Sequence, residues 1–285
     1  MPDDVPYILG HSGAELRRLM LQASILQPIT RRLLLQAGLK PGMRVLDIGC
    51  GTGDVSLLAA ELAGPSGAVV GIDRSAEAVT TARARAEALG LRNVAFRETE
   101  AEAFDDPVPF DLAVGRYVLI HQADPAALVR AAGACVRPGG TVAFHEIVLH
   151  GESQTRPAVP LVTQVWDGVM AAFASVLPHR DVASRLVEHF HRAGLGQPSL
   201  FCETPVGGGP DSPIYAWFAQ TLSSVRPQLA RIGAPVPGDI DTLEDRLREA
   251  VTAAHAQVVA PAQFCAWARV PGAHEGGRDR FSDHE

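Results

Sequence analysis

The segment Val45-Leu-Asp-Ile-Gly-Cys-Gly-Thr-Gly-Asp54 gives the strongest indication of the fold. It begins as a short apolar run and continues into three glycines, after which helical periodicity starts at Val55. A glycine-rich turn between a strand and a helix lets the backbone approach a ligand closely and leaves the first N–H groups of the helix available to a polar group. The segment therefore predicts a ligand-binding turn at the end of a buried strand.

Strand and helix patterns alternate on the C-terminal side of this turn. After a helix that begins at Val55, a second strand is predicted at 68–72, which completes a βαβ unit. The pattern continues as a helix at 76–89, strands at 93–97 and 110–114, a helix at 125–136 and a strand at 141–148. Strands separated by helices predict an α/β fold with a doubly wound parallel sheet and helices on both faces.

The flanking regions are predominantly helical. Residues 11–37 show apolar positions at helical spacing, and Pro28 predicts two helices there rather than one. Helical patterns at 158–177, 181–193, 214–232 and 242–257 surround predicted strands at 197–204 and 262–270. We therefore divide the chain into four parts. They are an N-terminal helical lid (1–37), a ligand-binding core in two pieces (38–205 and 259–271), a helical insert before the last strand (206–258) and a flexible tail (272–285).

Composition narrows the class of protein. Of 285 residues, 47% are hydrophobic and 20% are charged, which is typical of a globular chain. No apolar stretch reaches the ~20 residues of a membrane span, and the N-terminus lacks a signal-peptide pattern, so we expect a cytoplasmic protein. The net charge of -7 and the lack of a basic cluster argue against a nucleic-acid partner. The four cysteines lie far apart without nearby histidines, which argues against a metal site and a disulfide scaffold.

An acidic residue lies where it could bind the same ligand as the glycine turn. Asp73 ends the predicted second strand, 20 residues beyond Gly53, where a carboxylate can accept both hydroxyls of a ribose. The ligand predicted by this pairing is a nucleoside. A dinucleotide fingerprint has a glycine at its sixth position, but here that position is Asp54. The glycine run is therefore G-x-G-x-G.

With Asp47 two residues before the first glycine, this run resembles the first motif of class I S-adenosylmethionine-dependent methyltransferases, closely over about 39–148. The resemblance implies a Rossmann-like, mostly parallel sheet of seven strands with the last one antiparallel. It also implies that S-adenosylmethionine is the cofactor and S-adenosylhomocysteine the product. The positions that match the family's cofactor-binding residues are Asp47, Gly49, Gly51, Gly53, Asp73 with its neighbour Arg74, and Glu100 with Ala101.

Within this set, Asp47 would anchor the aminoacyl group and Asp73 would bind the ribose. Glu100 and Ala101 would meet the adenine, with Glu98 as the rival acidic residue, because Thr-Glu-Ala stands here in place of the commoner Gly-Asp-Ala. Arg116 would contact the cofactor carboxylate or a substrate acid, or form a salt bridge. Tyr7 belongs to a segment that resembles a lid folding across the cofactor in some bacterial small-molecule methyltransferases, or it anchors a helix on the sheet edge.

Candidate catalytic residues follow the fourth and fifth predicted strands, because ligands of open α/β sheets bind outside the carboxyl ends of the strands. They are Tyr117, His121, His145 and Glu146. His121 or His145 could accept a proton from the methyl acceptor, although packing or capping is the competing role for His121. Because consecutive residues of a strand face opposite sides, we expect either His145 or Glu146 to line the crevice.

We predict methyl transfer by in-line displacement to an O, N or C atom of a small, partly apolar metabolite. The sequence after the fourth strand, Gly-Arg-Tyr-Val, is not the loop associated with methylation of bases or amides. Aromatic residues of the flanking helices could wall an apolar pocket. Two alternatives stay open: a nicotinamide-dependent (NAD(P)) oxidoreductase and a non-catalytic S-adenosylmethionine-binding protein. A homodimer is also left open.

Overall fold

A computed structural model describes residues 13–149 and 154–272. The strands of these residues are β1 (Arg44–Ile48), β2 (Ala68–Asp73), β3 (Val94–Glu98), β4 (Phe110–Arg116), β5 (Val136–Ile147), β6 (Gln154–Arg156), β7 (Ser199–Glu203), β8 (Val206–Gly208), β9 (Gln257–Val259) and β10 (Gln263–Arg269). The α-helices are α1 (Gly13–Gln36), α2 (Asp54–Ala63), α3 (Ala76–Ala88), α4 (Pro125–Ala134), α5 (Pro160–Ala174), α6 (Leu186–Arg192), α7 (Ile214–Ser224), α8 (Arg226–Ile232) and α9 (Leu243–Ala253). Short 3₁₀ turns lie at Leu119–His121 and Val182–Arg185.

The main sheet has seven strands in the order β3-β2-β1-β4-β5-β10-β7. The first five strands pair in parallel, and β10 pairs antiparallel with both β5 and β7. The predicted mostly parallel, doubly wound α/β sheet with an antiparallel last strand is confirmed. Because the strand order reverses between β1 and β4, a crevice opens at the carboxyl ends of these two strands.

Local sequence explains how the helices α2, α3 and α4 begin. Gly53 precedes α2 in the left-handed conformation, with φ +91°. The Ser75 side chain accepts a hydrogen bond from the N–H of Ala78 at 3.2 Å and so caps α3. The Asp124 side chain accepts a hydrogen bond from the N–H of Ala126 and so caps α4, which has Pro125 in its first turn.

The N-terminal segment differs from its prediction. α1 is one continuous helix of 24 residues, with Pro28 inside it, and not two helices. Apolar residues before and after Pro28, such as Leu26 and Leu33, are fully buried in the core. Burial of one continuous apolar face therefore outweighs the missing proline N–H.

Two further features were not predicted. β5 begins at Val136, five residues before the predicted start, and its first residues lead through the Gly139–Gly140 turn. β6, β9 and β8 form a separate antiparallel sheet of three short strands. Two of these strands lie at the ends of the predicted helical insert, so the insert is not purely helical.

Helices α5 and α7 pack against each other and close one side of the crevice, and α1 packs against α7. Buried side chains of these helices, such as Trp166, Trp217 and Phe218, belong to the same apolar core as the sheet. Among the described residues, none of the helices has both the length and the apolar character that crossing a membrane requires.

Candidate functional site

A cavity of about 480 Å³ lies at the carboxyl ends of the central strands. The glycine turn after β1, the ends of β2 and β4, and the segment after β3 form its polar side. α1, α5 and α7 also line the cavity, α5 and α7 mostly with apolar side chains. The cavity thus occupies the position where open α/β sheets bind ligands.

The glycine turn adopts a backbone that other residues tolerate poorly. Gly49, Gly51 and Gly53 all have positive φ, at +65°, +52° and +91°. A Cβ on Gly49 would lie 2.3 Å from Cγ1 of Val118, so this glycine also allows two chain segments to touch. A Cβ on Gly51 would have no heavy atom within 4 Å, and Gly51 lines the cavity. The turn therefore presents bare backbone to a ligand.

Asp73 holds this turn in place. Its Oδ2 accepts a hydrogen bond from the N–H of Gly51 at 2.8 Å, and its Oδ1 accepts one from the N–H of Ser75 at 2.9 Å. Asp73 lines the cavity and is only partly buried. A carboxylate offers about four acceptor sites, so it can also receive hydroxyl groups of a ligand.

Asp47 lies behind the turn and is 1% exposed. Its Oδ2 accepts a hydrogen bond from the Ser56 hydroxyl at 2.5 Å, while Oδ1 has no partner among the described residues. Burial raises the pKa of Asp47 to about 7, against the opposing effects of Ser56 and Arg116. Asp47 and Gly53 do not line the cavity. The other predicted cofactor-binding residues within 13–149 and 154–272 do line it.

Those others are Arg74, Glu100, Ala101 and Arg116, together with the residues already described. Arg116 donates a hydrogen bond to the Thr30 hydroxyl at 3.3 Å and lies 3.9 Å from the carboxylate of Asp54. Asp54 also forms a salt bridge with Arg85 at 2.7 Å. Arg116 is therefore held by protein groups on two sides at the cavity wall. Tyr7 lies outside the described residues.

Two of the four predicted catalytic residues line the cavity. Tyr117 has a positive φ of +59°, and its hydroxyl donates a hydrogen bond to Oε1 of Gln263 at 2.5 Å. Burial raises the pKa of Tyr117 far above its usual range. His121 lies in the 3₁₀ turn that follows; burial, assisted by the positive charge of Arg74, lowers its pKa to about 4. At neutral pH His121 is therefore an uncharged imidazole.

The expectation that His145 or Glu146 lines the crevice is wrong, because both are fully buried and neither contributes to the cavity wall. Nδ1 of His145 lies 3.1 Å from the Thr30 hydroxyl, and Nε2 lies 3.1 Å from Oε1 of Gln263. Because that amide oxygen only accepts, Nε2 carries the proton and Nδ1 accepts from Thr30. Burial lowers the pKa of His145 to about 3. A neutral imidazole with both nitrogens engaged is a structural link between α1 and β10.

Glu146 supports the turn that carries His121. Its Oε1 accepts hydrogen bonds from the backbone N–H groups of Val118 at 3.0 Å and Leu119 at 2.9 Å. Its Oε2 has no partner among the described residues, and burial raises the pKa of Glu146 to about 8. Its position is that of a support behind the cavity wall. The physical reason for both corrections is that β5 is a central strand covered on its two faces.

Several residues at the site were not predicted. Arg18 of α1 lines the cavity although it is 2% exposed, and it is paired with Glu15. Gln263 joins Tyr117 to His145. The polar types and the i,i+3 spacing of Glu15 and Arg18 are visible in the sequence, but their approach to the cavity depends on how α1 packs against α7.

Comparison with known proteins agrees with this geometry. Residues 39–175 match a family model described as a methyltransferase domain. Residues 39–175 are therefore similar to a methyltransferase domain. The matched segment includes the glycine turn, Asp73 and the strands β1 to β5, so it supplies most of the polar side of the cavity.

Curated relatives that are methyltransferases by name match part of the chain. A ubiquinone biosynthesis O-methyltransferase of Paracidovorax citrulli is 38% identical over 114 residues, which cover 39% of this chain and 47% of that protein. The aklanonic acid methyltransferase DauC of a Streptomyces species is 37% identical over 118 residues, which cover 41% of this chain and 54% of that protein. The chain thus spans about half the length of these relatives.

Solved structures share the fold over more of the chain. The YcgJ protein of Bacillus subtilis has a TM-score of 0.55 at 17% identity, over 85% of this chain and 99% of that one. The [4+2]-cyclase SpnF has a TM-score of 0.52 at 21% identity, over 86% and 82% of the two chains. At these identities the likeness concerns the fold alone, and the chemistry of this chain must be argued from its own residues.

Proposed function

We propose that this protein binds S-adenosylmethionine in the cavity and transfers its methyl group to a small, partly apolar acceptor. The observation that carries the proposal is the contact between Asp73 and the N–H of Gly51, which places a carboxylate and an open glycine backbone together at the cavity wall. This arrangement suits a nucleoside whose ribose hydroxyls reach the carboxylate while its polar chain follows the turn.

The residues present fit this cofactor. Gly51 leaves open space where a side chain would lie, and the carboxylate of Asp73 retains acceptor capacity for hydroxyl groups. Glu100 and Ala101 line the cavity after β3, where they would meet the adenine. Arg116 would approach the cofactor carboxylate. When bound, S-adenosylmethionine supplies a methyl group on a positively charged sulfur, which reacts by in-line displacement.

The protein's own contribution is to align the acceptor and exclude water. The apolar wall of α5 and α7 removes water from one side of the cavity, and the buried ion pair of Arg18 and Glu15 closes another. We propose His121 as the group that takes a proton from an acceptor hydroxyl or amine, because it is neutral and lines the cavity. Tyr117, whose hydroxyl donates to Gln263, positions that turn.

The names of the two curated relatives support a small-molecule acceptor, since one is a ubiquinone biosynthesis enzyme and the other acts on aklanonic acid. The nicotinamide alternative is disfavoured by Asp54, which places a carboxylate at the cavity wall where a dinucleotide fingerprint has a glycine. A pyrophosphate bound there would face a negative charge.

Calorimetric titration with S-adenosylmethionine and with NADH tests the proposal. We expect binding of S-adenosylmethionine only, and an Asp73→Ala variant should bind it about 10- to 100-fold more weakly because hydrogen bonds to a charged acceptor are lost. Asp105→Ala is the matched control, because Asp105 does not line this cavity. Tight binding of NADH without binding of S-adenosylmethionine would overturn the proposal, and unchanged affinity of Asp73→Ala would refute the role of Asp73.

A further inference from the structure

The cavity wall that α5, the residues after it and α7 form is built mainly from apolar side chains. Those contributed by α5, the residues after it and α7 are Val165, Trp166, Val169, Phe173, Leu177, Trp217 and Phe218. Polar groups of the cavity wall come instead from the loops after β1, β2 and β3 and from the end of β4. The cavity thus has a polar half and an apolar half.

Arg18 is the buried cation in this apolar half. Its Nε–H reaches both carboxylate oxygens of Glu15 at 2.9 and 3.0 Å, its Nη2 donates to Oε1 of Glu15 at 2.5 Å, and its Nη1 donates to Oε1 of Gln22 at 2.9 Å. A guanidinium has five N–H groups. Within residues 13–149 and 154–272, the bonds of Arg18 use three of them, so one N–H on each terminal nitrogen is left for a ligand.

The charge of Arg18 is already balanced. Glu15 is 2% exposed, as is Arg18, and its Oε2 also accepts a hydrogen bond from the Ser224 hydroxyl at 2.8 Å. A ligand carboxylate placed against Arg18 would therefore approach the negative charge of Glu15 in a site with little water. A neutral oxygen, such as a carbonyl or a hydroxyl, can accept the two remaining N–H groups without that repulsion.

The aromatic rings of the apolar half favour a flat ligand. The rings of Trp166 and Phe218 are stacked, with centroids 5.9 Å apart and planes 28° apart. The indole N–H of Trp217 lies 3.4 Å from Oε1 of Gln22, the same oxygen that accepts from Arg18. The aromatic wall is therefore tied to the polar group beside it, and planar rings pack on such walls with favourable offset or edge contacts.

We propose that Arg18, Trp166 and Phe218 form the acceptor subsite and select a neutral, planar ring compound that carries a carbonyl or hydroxyl oxygen. The proposal rests on the proposed function, because it assigns the other half of the cavity to S-adenosylmethionine. Arg18 acts here as a specificity-determining residue: it binds the oxygen and thereby fixes the orientation of the ring against the aromatic wall.

Binding of three small probes to the full chain, saturated with S-adenosylhomocysteine, tests the subsite. The probes are 2-acetylnaphthalene, which is neutral and planar, 2-naphthoate, which replaces the ketone by a carboxylate, and cyclohexyl methyl ketone, which lacks the aromatic ring. In ligand-observed NMR titrations we expect 2-acetylnaphthalene to bind at least 10-fold more tightly than either of the others.

Variants identify the residue that binds the oxygen. Because Arg18→Met alone would leave Glu15 buried without its partner, the informative variant is the double change Glu15→Gln with Arg18→Met, which removes both charges. It should bind 2-acetylnaphthalene about 10- to 100-fold more weakly, the range expected for a hydrogen bond from a charged donor. The matched control is Arg17→Gln, since Arg17 is exposed and does not line the cavity. Phe218→Leu should weaken the two naphthalene probes and leave the cyclohexyl ketone unchanged.

The affinity for S-adenosylhomocysteine separates the two proposals and reports on folding. If the wild-type protein does not bind S-adenosylhomocysteine, the proposed function fails. If it binds, but the three probes bind equally, 2-naphthoate binds best, or 2-acetylnaphthalene does not bind, the acceptor subsite is wrong while the proposed function stands. The subsite is also wrong if the double variant keeps its affinity for both S-adenosylhomocysteine and 2-acetylnaphthalene.

Discussion

Gly49→Ala and Gly51→Ala form a pair of substitutions that separates the structural from the ligand-binding role of the glycine turn. Both residues have positive φ, at +65° and +52°, so alanine is strained at either position. The surroundings differ, because a Cβ at Gly49 would lie 2.3 Å from Cγ1 of Val118, whereas a Cβ at Gly51 would meet no heavy atom within 4 Å.

The expected losses of stability follow from these two quantities. A left-handed conformation costs a residue with a Cβ roughly 1–2 kcal/mol, and this cost applies to both variants. Forcing an extra methyl group into a packed contact costs roughly 1–3 kcal/mol more, and this cost applies to Gly49→Ala alone. We therefore expect the free energy of unfolding to fall by about 2–5 kcal/mol in Gly49→Ala and by about 1–2 kcal/mol in Gly51→Ala.

The affinity for S-adenosylmethionine should be reduced more in the variant that loses less stability, Gly51→Ala. Gly51 lines the cavity, so its added methyl group would occupy space that a ligand needs, and we expect Gly51→Ala to bind S-adenosylmethionine at least 10-fold more weakly. Urea unfolding gives the stabilities, and calorimetric titration of the folded variants gives the affinities. Equal stability of the two variants, or wild-type affinity of Gly51→Ala, would refute the reasoning about the turn.

Three further predictions concern the groups behind and within the cavity wall. Glu146→Gln should flatten the pH dependence of the free energy of unfolding. Burial raises the pKa of Glu146 from 4.5 to about 8, so the native state holds a proton that the unfolded chain releases between these pH values. The free energy of unfolding of the wild-type protein should therefore fall by up to ~1.4 kcal/mol per pH unit in this range, which urea unfolding at pH 5, 6.5 and 8 would measure. His121 should titrate near pH 4, because burial lowers its pKa, and an NMR titration with His121→Asn to assign the signal would contradict this with a midpoint near 6.5. Thr30→Val should lower the free energy of unfolding by ~1–3 kcal/mol, because Nδ1 of His145 loses its partner. The control Thr80→Val removes an exposed hydroxyl bonded to a carbonyl four residues earlier, and it should change the free energy of unfolding by less than ~0.5 kcal/mol. Equal losses in the two variants would contradict a structural role of the contact between Thr30 and His145.

The polar half of the cavity was largely predictable because its residues are encoded locally. Three glycines between a strand and a helix, and an acidic residue at the end of the next strand, are visible as residue types at fixed spacing. The structure brings Gly51 and Asp73 into direct contact, as this spacing indicates. The binding roles of these residues stay predictions, as does the division of the chain into a lid, a core and an insert.

The burial of both His145 and Glu146 was not predictable from alternation. Alternation places the two side chains on opposite faces of β5, but it does not say what covers each face. In the structure, Thr30 of α1 meets His145 on one face, and the backbone of Val118 and Leu119 meets Glu146 on the other. Both faces are therefore closed by elements that are distant in sequence.

The acceptor half was also beyond the sequence, for a related reason. Arg18 and Glu15 read as an ordinary helical ion pair of a surface helix, which contributes little to stability or function. Their burial results from the packing of α1 against α7, whose residue Ser224 bonds to Glu15. Long-range packing of this kind leaves no local signal in the sequence.

A crystal structure of the protein with S-adenosylhomocysteine would show where the cofactor binds. We expect the ribose hydroxyls to lie within hydrogen-bond distance of the Asp73 carboxylate and the backbone of Gly51 to face the ligand. We expect the sulfur to point toward the apolar half of the cavity, which contains Trp166 and Phe218. A ligand bound elsewhere, or bound in this cavity with its ribose away from Asp73, would contradict this expectation.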